Sequence, residues 1–189
     1  QAFESWFANT PGLKVVVPSN PYDAKGLLKS AIRDDDPVIF FEHKRTYRGI
    51  RGEVPDEEYV IPIGKADIKR EGDDITIVTY GLMVHYSLEA AQLVEKDGIS
   101  IEVVDLRTVR PLDTKAILDS AKKTGKVIIV HEDNKTGGLG GEVAAIRAEE
   151  AFDYLDGPIM RITGPDVPSI AFSPTLEAEY MPSPEKIAV

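Results

Sequence analysis

Six short runs of apolar, largely β-branched residues alternate with amphipathic helical patterns, and that alternation leaves the chain few ways to fold. The first two runs are "LKVVVPS" (13–19) and "PVIFFE" (37–42), with "NPYDAKGLLKSAIRDDDP" between them. In the intervening stretch Asn20 is a natural N-cap, Pro21 suits the first helical position, and Asp23 follows three residues after the cap. Ala24, Leu27, Leu28, Ala31 and Ile32 share one helical face. Pro37 blocks continuation, so the helix should end at Arg33 or Asp34. Strand, helix, strand over residues 13–42 is a βαβ unit, and its strands should pair in parallel.

A second alternation begins at Ile75. "ITIVTYG" reads as a strand, and "LMVHYSLEAAQLVEKDG" as a helix closed by Gly98. "ISIEVVDLRT" is a strand, followed by "PLDTKAILDSAKKTG", a helix capped by Asp113 and closed by Gly125. "KVIIVHE" is a strand, "EVAAIRAEEAFDYL" a helix and "PIMRIT" a last strand. The expectation is a layered α/β protein with a mostly parallel sheet. Between the two alternations, residues 43–74 show no sustained period and are rich in Gly, Pro and charge, as a long inter-domain linker is. Part of that stretch, "YVIPIGKADIKR", can add a short edge strand. The tail after Gly164 is Pro-rich and irregular, and "SPEK" looks like the start of a helix.

Composition narrows the class. The 189 residues are 42% apolar and 29% charged, an ordinary globular mix. No stretch approaches the ~20 apolar residues of a membrane span. "QAFESWFANT" has neither the basic nor the apolar region of a signal peptide. It also lacks an initiator Met, so the expectation is a fragment of a longer protein. There are no cysteines, which excludes disulfides, thiolate metal sites and a Cys nucleophile and agrees with a cytoplasmic location. The net charge of −10 disfavours nucleic acid and favours basic partners.

The stretch with the most obvious chemistry is "KTGGLGGEV" (135–143), a glycine loop between a strand and a helix. As a dinucleotide fingerprint it fails: the third glycine position is Val143, the loop follows the third strand of its half, and no acid marks the next strand. No G-K-[S/T] follows, so it is not a P-loop. Glycines that let a loop pass close to neighbouring backbone are the simpler reading. "AIRDDDP" (31–37) combines three acids with the free carbonyls of a helix end. It is either a solvated acidic turn or a site for a hard cation, potassium in particular. "HKRTYRGIR" (43–51) gathers Lys44, Arg45, Arg48 and Arg51, which could meet an anion or pair with Glu53, Asp56, Glu57 and Glu58. Arg107, Arg110 and His131 stand at the carboxyl ends of strands, where open α/β sheets bind ligands. The arginines could instead pair with Asp105 or Asp113, and His131 has no nucleophile motif beside it, which favours a structural role.

Three motifs in order, "PGLKVVVPSNPYDAKGLLKSAIRDDDPVIFFEHKRTYR", "EVVDLRTVRPLD" and "VHEDNKTGGLGGEVAAI", resemble the beta subunit of thiamine diphosphate-dependent 2-oxo acid dehydrogenases. The pattern is most like the branched-chain (2-oxoisovalerate) type, with the pyruvate and acetoin types as near relatives, and it corresponds to the later part of that subunit. The resemblance implies that residues 1–50 are the end of a pyrimidine-binding domain, 51–66 a linker and 67–189 a three-layer αβα transketolase C-terminal-like domain.

The same resemblance implies chemistry and partners. In such enzymes a beta-subunit glutamate activates the cofactor, and a G-D-G…N motif of the alpha subunit holds its diphosphate and magnesium. The glutamate falls upstream of Gln1 and no G-D-G…N occurs, so no catalytic or cofactor-binding residue is assigned here. The family's potassium site carries over to the Ala31 carbonyl, the Asp34 carboxylate and the Asp36 carbonyl, as a half-site. The implied partners are an alpha subunit, a second beta subunit and the dihydrolipoyl acyltransferase core, with no nucleic acid and no membrane. The implied activity is oxidative decarboxylation of a branched-chain 2-oxo acid with acyl transfer to lipoyl-lysine, and the chain alone is expected to be inactive. The alternative is a non-catalytic interaction module, which a start codon just before Gln1 would support.

Overall fold

The structure, a computed structural model, describes residues 2–168, 170 and 172–188. The expected domain limits at Gln1 and Val189 lie outside the described residues. In chain order the elements are α1 (Glu4–Ala8), β1 (Lys14–Val16), α2 (Pro21–Ile32), β2 (Val38–Phe40), α3 (Thr46–Gly49), β3 (Asp67–Arg70), β4 (Ile75–Thr79) and α4 (Met83–Glu95). There follow β5 (Ile101–Asp105), β6 (Thr108–Arg110), α5 (Thr114–Thr124), β7 (Val127–Asn134), α6 (Leu139–Glu150), a 3-10 turn (Phe152–Tyr154), β8 (Met160–Gly164), α7 (Pro174–Tyr180) and α8 (Pro184–Ile187).

The helix ends are where local chemistry puts them. Asn20 Oδ1 accepts the Asp23 N–H at 2.8 Å and Pro21 opens α2, which stops before Arg33. Asp113 accepts the Ala116 N–H at 3.2 Å to start α5, and Gly125, at φ 68°, closes it. The helix after the glycine loop starts earlier than its apolar period suggests. Gly138 is the N-cap, and Gly140 and Gly141 lie inside the first turn of α6.

Five strands form the main sheet in the order β3-β5-β4-β7-β8. The four strands from β5 to β8 are parallel, and β3 adds an antiparallel edge. Side chains alternate across it. Val78, Val127 and Ile129 face α5 and α6 with Ile117, Ala121 and Val143, while Ile77, Val103 and Val130 face α4 and α8 with Met83, Ala91 and Ile187. That is a three-layer αβα arrangement, and its central strands are buried on both faces, as parallel sheets require. Ile77, Val78, Val103, Ile117, Val130 and Val143 have no exposed surface, and each such side chain contributes ~1.5–3 kcal/mol of burial.

The second sheet is smaller and was only half visible in sequence. β1 and β2 pair in parallel, Lys14 with Val38 through Val16 with Phe40, as the βαβ pattern predicts. Its third strand is β6, antiparallel to β1, drawn from the later half of the chain. The run 99–108, read as one strand, breaks after Asp105. Arg107 turns the chain at φ 56°, a left-handed conformation uncommon for a residue with a side chain, and residues 108–110 cross to the other sheet.

The stretch 50–66 has no helix or strand, yet it is strapped to α2. Ile61 donates its N–H to the Gly26 carbonyl at 3.2 Å, and Ser30 Oγ donates to the Ile61 carbonyl at 2.6 Å. Ile61 packs with Val16 and Leu27, and a Cβ on Gly26 would come within 2.7 Å of the Ile61 side chain. Glycine at 26 is therefore what lets this strap lie flat on the helix.

Candidate functional site

A concavity with convergent polar groups opens at the carboxyl ends of β4 and β7, beside the ends of β1 and β2. It has a volume of about 480 Å³. Tyr80 and Gly81 follow β4, Glu132 lies near the end of β7, Phe41 to Lys44 follow β2, and Ala2 to Glu4 reach in from the chain start. Carboxyl ends are where parallel sheets leave such crevices, because the helices that return the chain diverge there.

Four polar groups define its chemistry. His43 Nε2 lies 3.1 Å from the Glu132 carboxylate, with both side chains half-buried. Glu4 is pushed up to about 7, above all by burial, with Glu132 and Asp133 adding to the effect and its backbone hydrogen bond and His43 opposing it. The Tyr80 hydroxyl is buried and raised well above its ordinary value by burial; neither it nor Glu4 Oε2 has a hydrogen-bond partner among the described residues. Ser5 Oγ donates to Asp133 at 2.6 Å and holds α1 against β7.

The sequence did not single out this group. One signal was available: Glu4 is an acid flanked by Phe3, Trp6 and Phe7, a setting that buries a carboxyl. A second lay in strand alternation. In "HED" the side chains of His131 and Glu132 must point to opposite faces, and it is Glu132, not His131, that reaches the cavity.

His131 is a packing residue. It is 1% exposed, its Nε2 accepts the Gly140 N–H at 3.1 Å, and burial pulls its pKa down to about 4. The glycine loop wraps this ring. A Cβ on Gly140 would stand 2.7 Å from His131 Nε2, and one on Gly138 would stand 2.3 Å from the Asn134 carbonyl. The glycines thus serve close packing within the chain, as the spacing argument expects.

Arg107 is structural. Its N–H donates to Asp105 at 2.9 Å, and its guanidinium lies 2.7 Å from Asp67 and from the buried Asp23. Arg110 is exposed. The basic stretch 43–51 does not pair with the acids that follow it: Glu58 meets Arg33 and Lys29 of α2, while Arg45 reaches Glu177 at 3.9 Å and the Tyr86 hydroxyl at 3.2 Å. The strap lies across α2, so Glu58 faces that helix rather than the basic stretch before it.

Ala31 lies in the last turn of α2, and Asp34 and Asp36 in the turn that follows it. The Ala31 carbonyl accepts the Asp34 N–H over 3.4 Å, and Asp34 Oδ1 accepts the Asp36 N–H at 2.9 Å. Lys14 Nζ stands 2.7 Å from Asp34 Oδ1 and 2.9 Å from Asp36, and this ammonium holds Asp34 below the usual carboxylate range. Among the described residues, no three or more His, Asp or Glu side chains are grouped to hold a metal ion.

Comparison with known proteins places the fold in a family. The model of the transketolase C-terminal domain matches residues 64–187, and that of the transketolase pyrimidine-binding domain matches 1–50. The chain belongs to the transketolase family. Within this family it is 62% identical over 187 residues to the 2-oxoisovalerate dehydrogenase subunit beta of Bacillus subtilis (strain 168), covering 99% of this chain and 57% of that protein. It is 56% identical over 165 residues to the pyruvate dehydrogenase E1 component subunit beta of the same organism, covering 87% and 51%. It is 51% identical over 187 residues to that organism's acetoin:2,6-dichlorophenolindophenol oxidoreductase subunit beta, covering 99% and 54%. Among solved structures, a split-gene transketolase described as an inactive beta4 tetramer superposes with a TM-score of 0.80 at 27% identity, over 98% of this chain and 58% of that one. The chain spans about half the length of the curated relatives it matches.

Proposed function

We propose that the chain is the later part of the beta subunit of a 2-oxo acid dehydrogenase decarboxylating component, of the branched-chain type. The observation that carries this is 62% identity, collinear over 187 residues, to a 2-oxoisovalerate dehydrogenase beta subunit. In this reading residues 1–50 close a pyrimidine-binding domain, 51–66 are the linker, and 67–189 are the assembly domain. The alpha subunit, a second beta subunit and the acyltransferase core are its partners, and the net charge of −10 suits a basic docking module.

Bound thiamine diphosphate, with magnesium, supplies the carbanion chemistry of decarboxylation in this reading. The described residues offer no cradle for a diphosphate, because the one glycine loop is filled by His131. What this chain contributes is shape: the Asp23–Lys69–Arg107 network and the β1–β6 pairing hold its two parts in register. No described helix is long and apolar enough to cross a membrane.

The turn after α2 is proposed as half of a potassium site. Hard oxygen donors at a helix end fit such an ion, with the Ala31 and Asp36 carbonyls as ligands. The Asp34 carboxylate joins them only by giving up Lys14.

The test is reconstitution of the complete subunit with an alpha subunit, thiamine diphosphate, magnesium and a lipoyl domain. Carbon dioxide release from 3-methyl-2-oxobutanoate should exceed that from pyruvate, and acetoin should be a poor substrate. Preference for pyruvate or acetoin moves the protein to a sister activity, and failure to bind any alpha subunit favours a non-catalytic interaction module. The chain by itself should show no thiamine-dependent turnover.

A further inference from the structure

We infer that the groove between α2 and α3 docks a short acidic peptide segment of a partner protein, which seats one apolar side chain there and sets its carboxylates against Lys44, Arg48 and Arg51. The inference rests on this surface and does not depend on the family reading. The groove has a volume of about 310 Å³, room for a side chain or two and too little for a folded domain. Pro18, Pro21, Ala24, Tyr47 and Ile50 supply its apolar wall.

The polar groups along the groove are engaged within the chain. Asn20 Oδ1 accepts the Asp23 N–H at 2.8 Å, and its amide donates to the Asp23 carboxylate at 2.5 Å. Thr46 Oγ donates to the His43 carbonyl at 2.7 Å, and His43 Nε2 lies 3.1 Å from Glu132. Glu42 accepts the Tyr47 hydroxyl at 2.6 Å. A polar head placed here would give up water for partners already in use, so the groove favours an apolar occupant.

Positive charge stands beside it. Lys44, Arg48 and Arg51 directly follow the groove-lining His43, Tyr47 and Ile50. All three are exposed, and among the described residues none pairs with an acid, since Glu42 is held by Tyr47 and Glu58 by Arg33 and Lys29. Gly52 keeps Arg51 close: a Cβ on it would stand 3.7 Å from Pro21 Cδ, so the backbone after Arg51 runs along the Pro21 wall. A chain of net charge −10 repels acidic partners over most of its surface, and three free cations at one groove give an acidic segment its landing place. Arg and Tyr are also the side chains that recur at binding hot spots. A peptide can put its apolar residue where Glu42 interrupts the cations, which a regular row of phosphates cannot. The sign is opposite to that of a basic docking module, so this is a second face for a different partner.

Fluorescence anisotropy of the purified protein with a labelled peptide of glutamates around one central leucine tests the site. The peptide should bind at low salt and weaken several-fold as salt rises to about 0.5 M, where exposed charges are screened. Replacing its leucine by glycine should weaken it at least about fivefold, the share of a partly buried side chain. The triple variant Lys44→Glu, Arg48→Glu, Arg51→Glu should weaken it at least about tenfold. Ala24→Gln puts a longer side chain into the groove and suits its helix. It should abolish the preference for leucine over glycine and keep the salt dependence. No binding, binding that the triple variant leaves unchanged, or no preference for leucine overturns the assignment. So does tighter binding of a lysine peptide of the same length or of a single-stranded oligonucleotide. Circular dichroism of each variant separates loss of binding from loss of fold. Should the triple variant be unfolded, Arg48→Ala and Arg51→Ala still decide, each by a weakening of about two- to threefold.

Discussion

Lys69 Nζ donates a 2.7 Å hydrogen bond to Asp23 Oδ2 and so ties β3 to α2, two elements from different halves of the chain. Asp23 has no exposed surface, and its other oxygen lies 2.7 Å from the Arg107 guanidinium. Asp67 bridges the same two cations at 2.6 and 2.7 Å. Asp105 lies 3.9 Å from Lys69 and accepts the Ser19 hydroxyl at 2.5 Å; burial raises it to about 6. Three acids and two cations thus form one junction, with Asp23 and Asp105 its fully buried members.

Removing the fully buried Asp23 leaves Lys69 and Arg107 with the partly exposed Asp67 as their shared partner. Asp23→Ala should lower stability by about 3 kcal/mol, in the range for a broken buried ion pair, read as a shifted urea midpoint. Asp23→Asn, which keeps the shape and the contact with Asn20, should cost less. Equal midpoints for wild type and Asp23→Ala would show that the junction contributes nothing net.

Glu4 makes stability fall as pH rises. Its folded value of about 7 exceeds the ordinary 4.5, so the folded state binds the extra proton. The contribution is full below pH 4.5 and is lost as pH climbs through 7, amounting to ~3 kcal/mol at most. Asp105 acts in the same direction between the ordinary aspartate range and about 6. Glu4→Gln should flatten the slope between pH 5 and 7 and make the protein more stable at pH 8. A slope unchanged in the variant would remove Glu4 as its source.

Gly140 and His131 should be energetically coupled. Gly140→Ala places a methyl 2.7 Å from the ring and should cost about 1–3 kcal/mol, as overpacking does. Replacing His131 by Ala opens space, so the double variant should be more stable than the sum of the single losses predicts by ~1 kcal/mol or more. Simple additivity in the four-way cycle would refute the contact.

Arg147 has no exposed surface and no acid partner among the described residues. It donates to the carbonyls of Ala121 at the end of α5 and of Ala151 and Tyr154 after α6, closing two helix ends with one guanidinium. Arg147→Met should cost about 3 kcal/mol by leaving these carbonyls dry, and Lys should rescue only part because it lacks the planar fork. Amide exchange in 147–156 should quicken in both variants, and protection equal to wild type would count against the clamp.

The alternation of runs and helical periods was enough to place the strands from β1 to β8 apart from β6, the caps at Asn20 and Asp113, and the closing glycines at 98 and 125. α1, α3 and α7 escaped because they are short and carry no sustained apolar period. β6 escaped because its partner β1 lies some ninety residues away, and nothing local records a strand that leaves one sheet for another.

What the sequence determined by itself was local: the longer helices, every strand but β6, the caps at Asn20 and Asp113, and that "KTGGLGGEV" departs from the nucleotide-binding templates. Those follow from spacing, propensity and capping, all of which act within a few residues. The tertiary structure alone decided that Lys69 and Arg107 converge on Asp23, that Glu132 rather than His131 faces the cavity, and that Glu4 titrates near neutrality. Each depends on burial and on charges brought close from distant parts of the chain, and the free energy of a buried charge is set by its surroundings rather than by its neighbours in sequence.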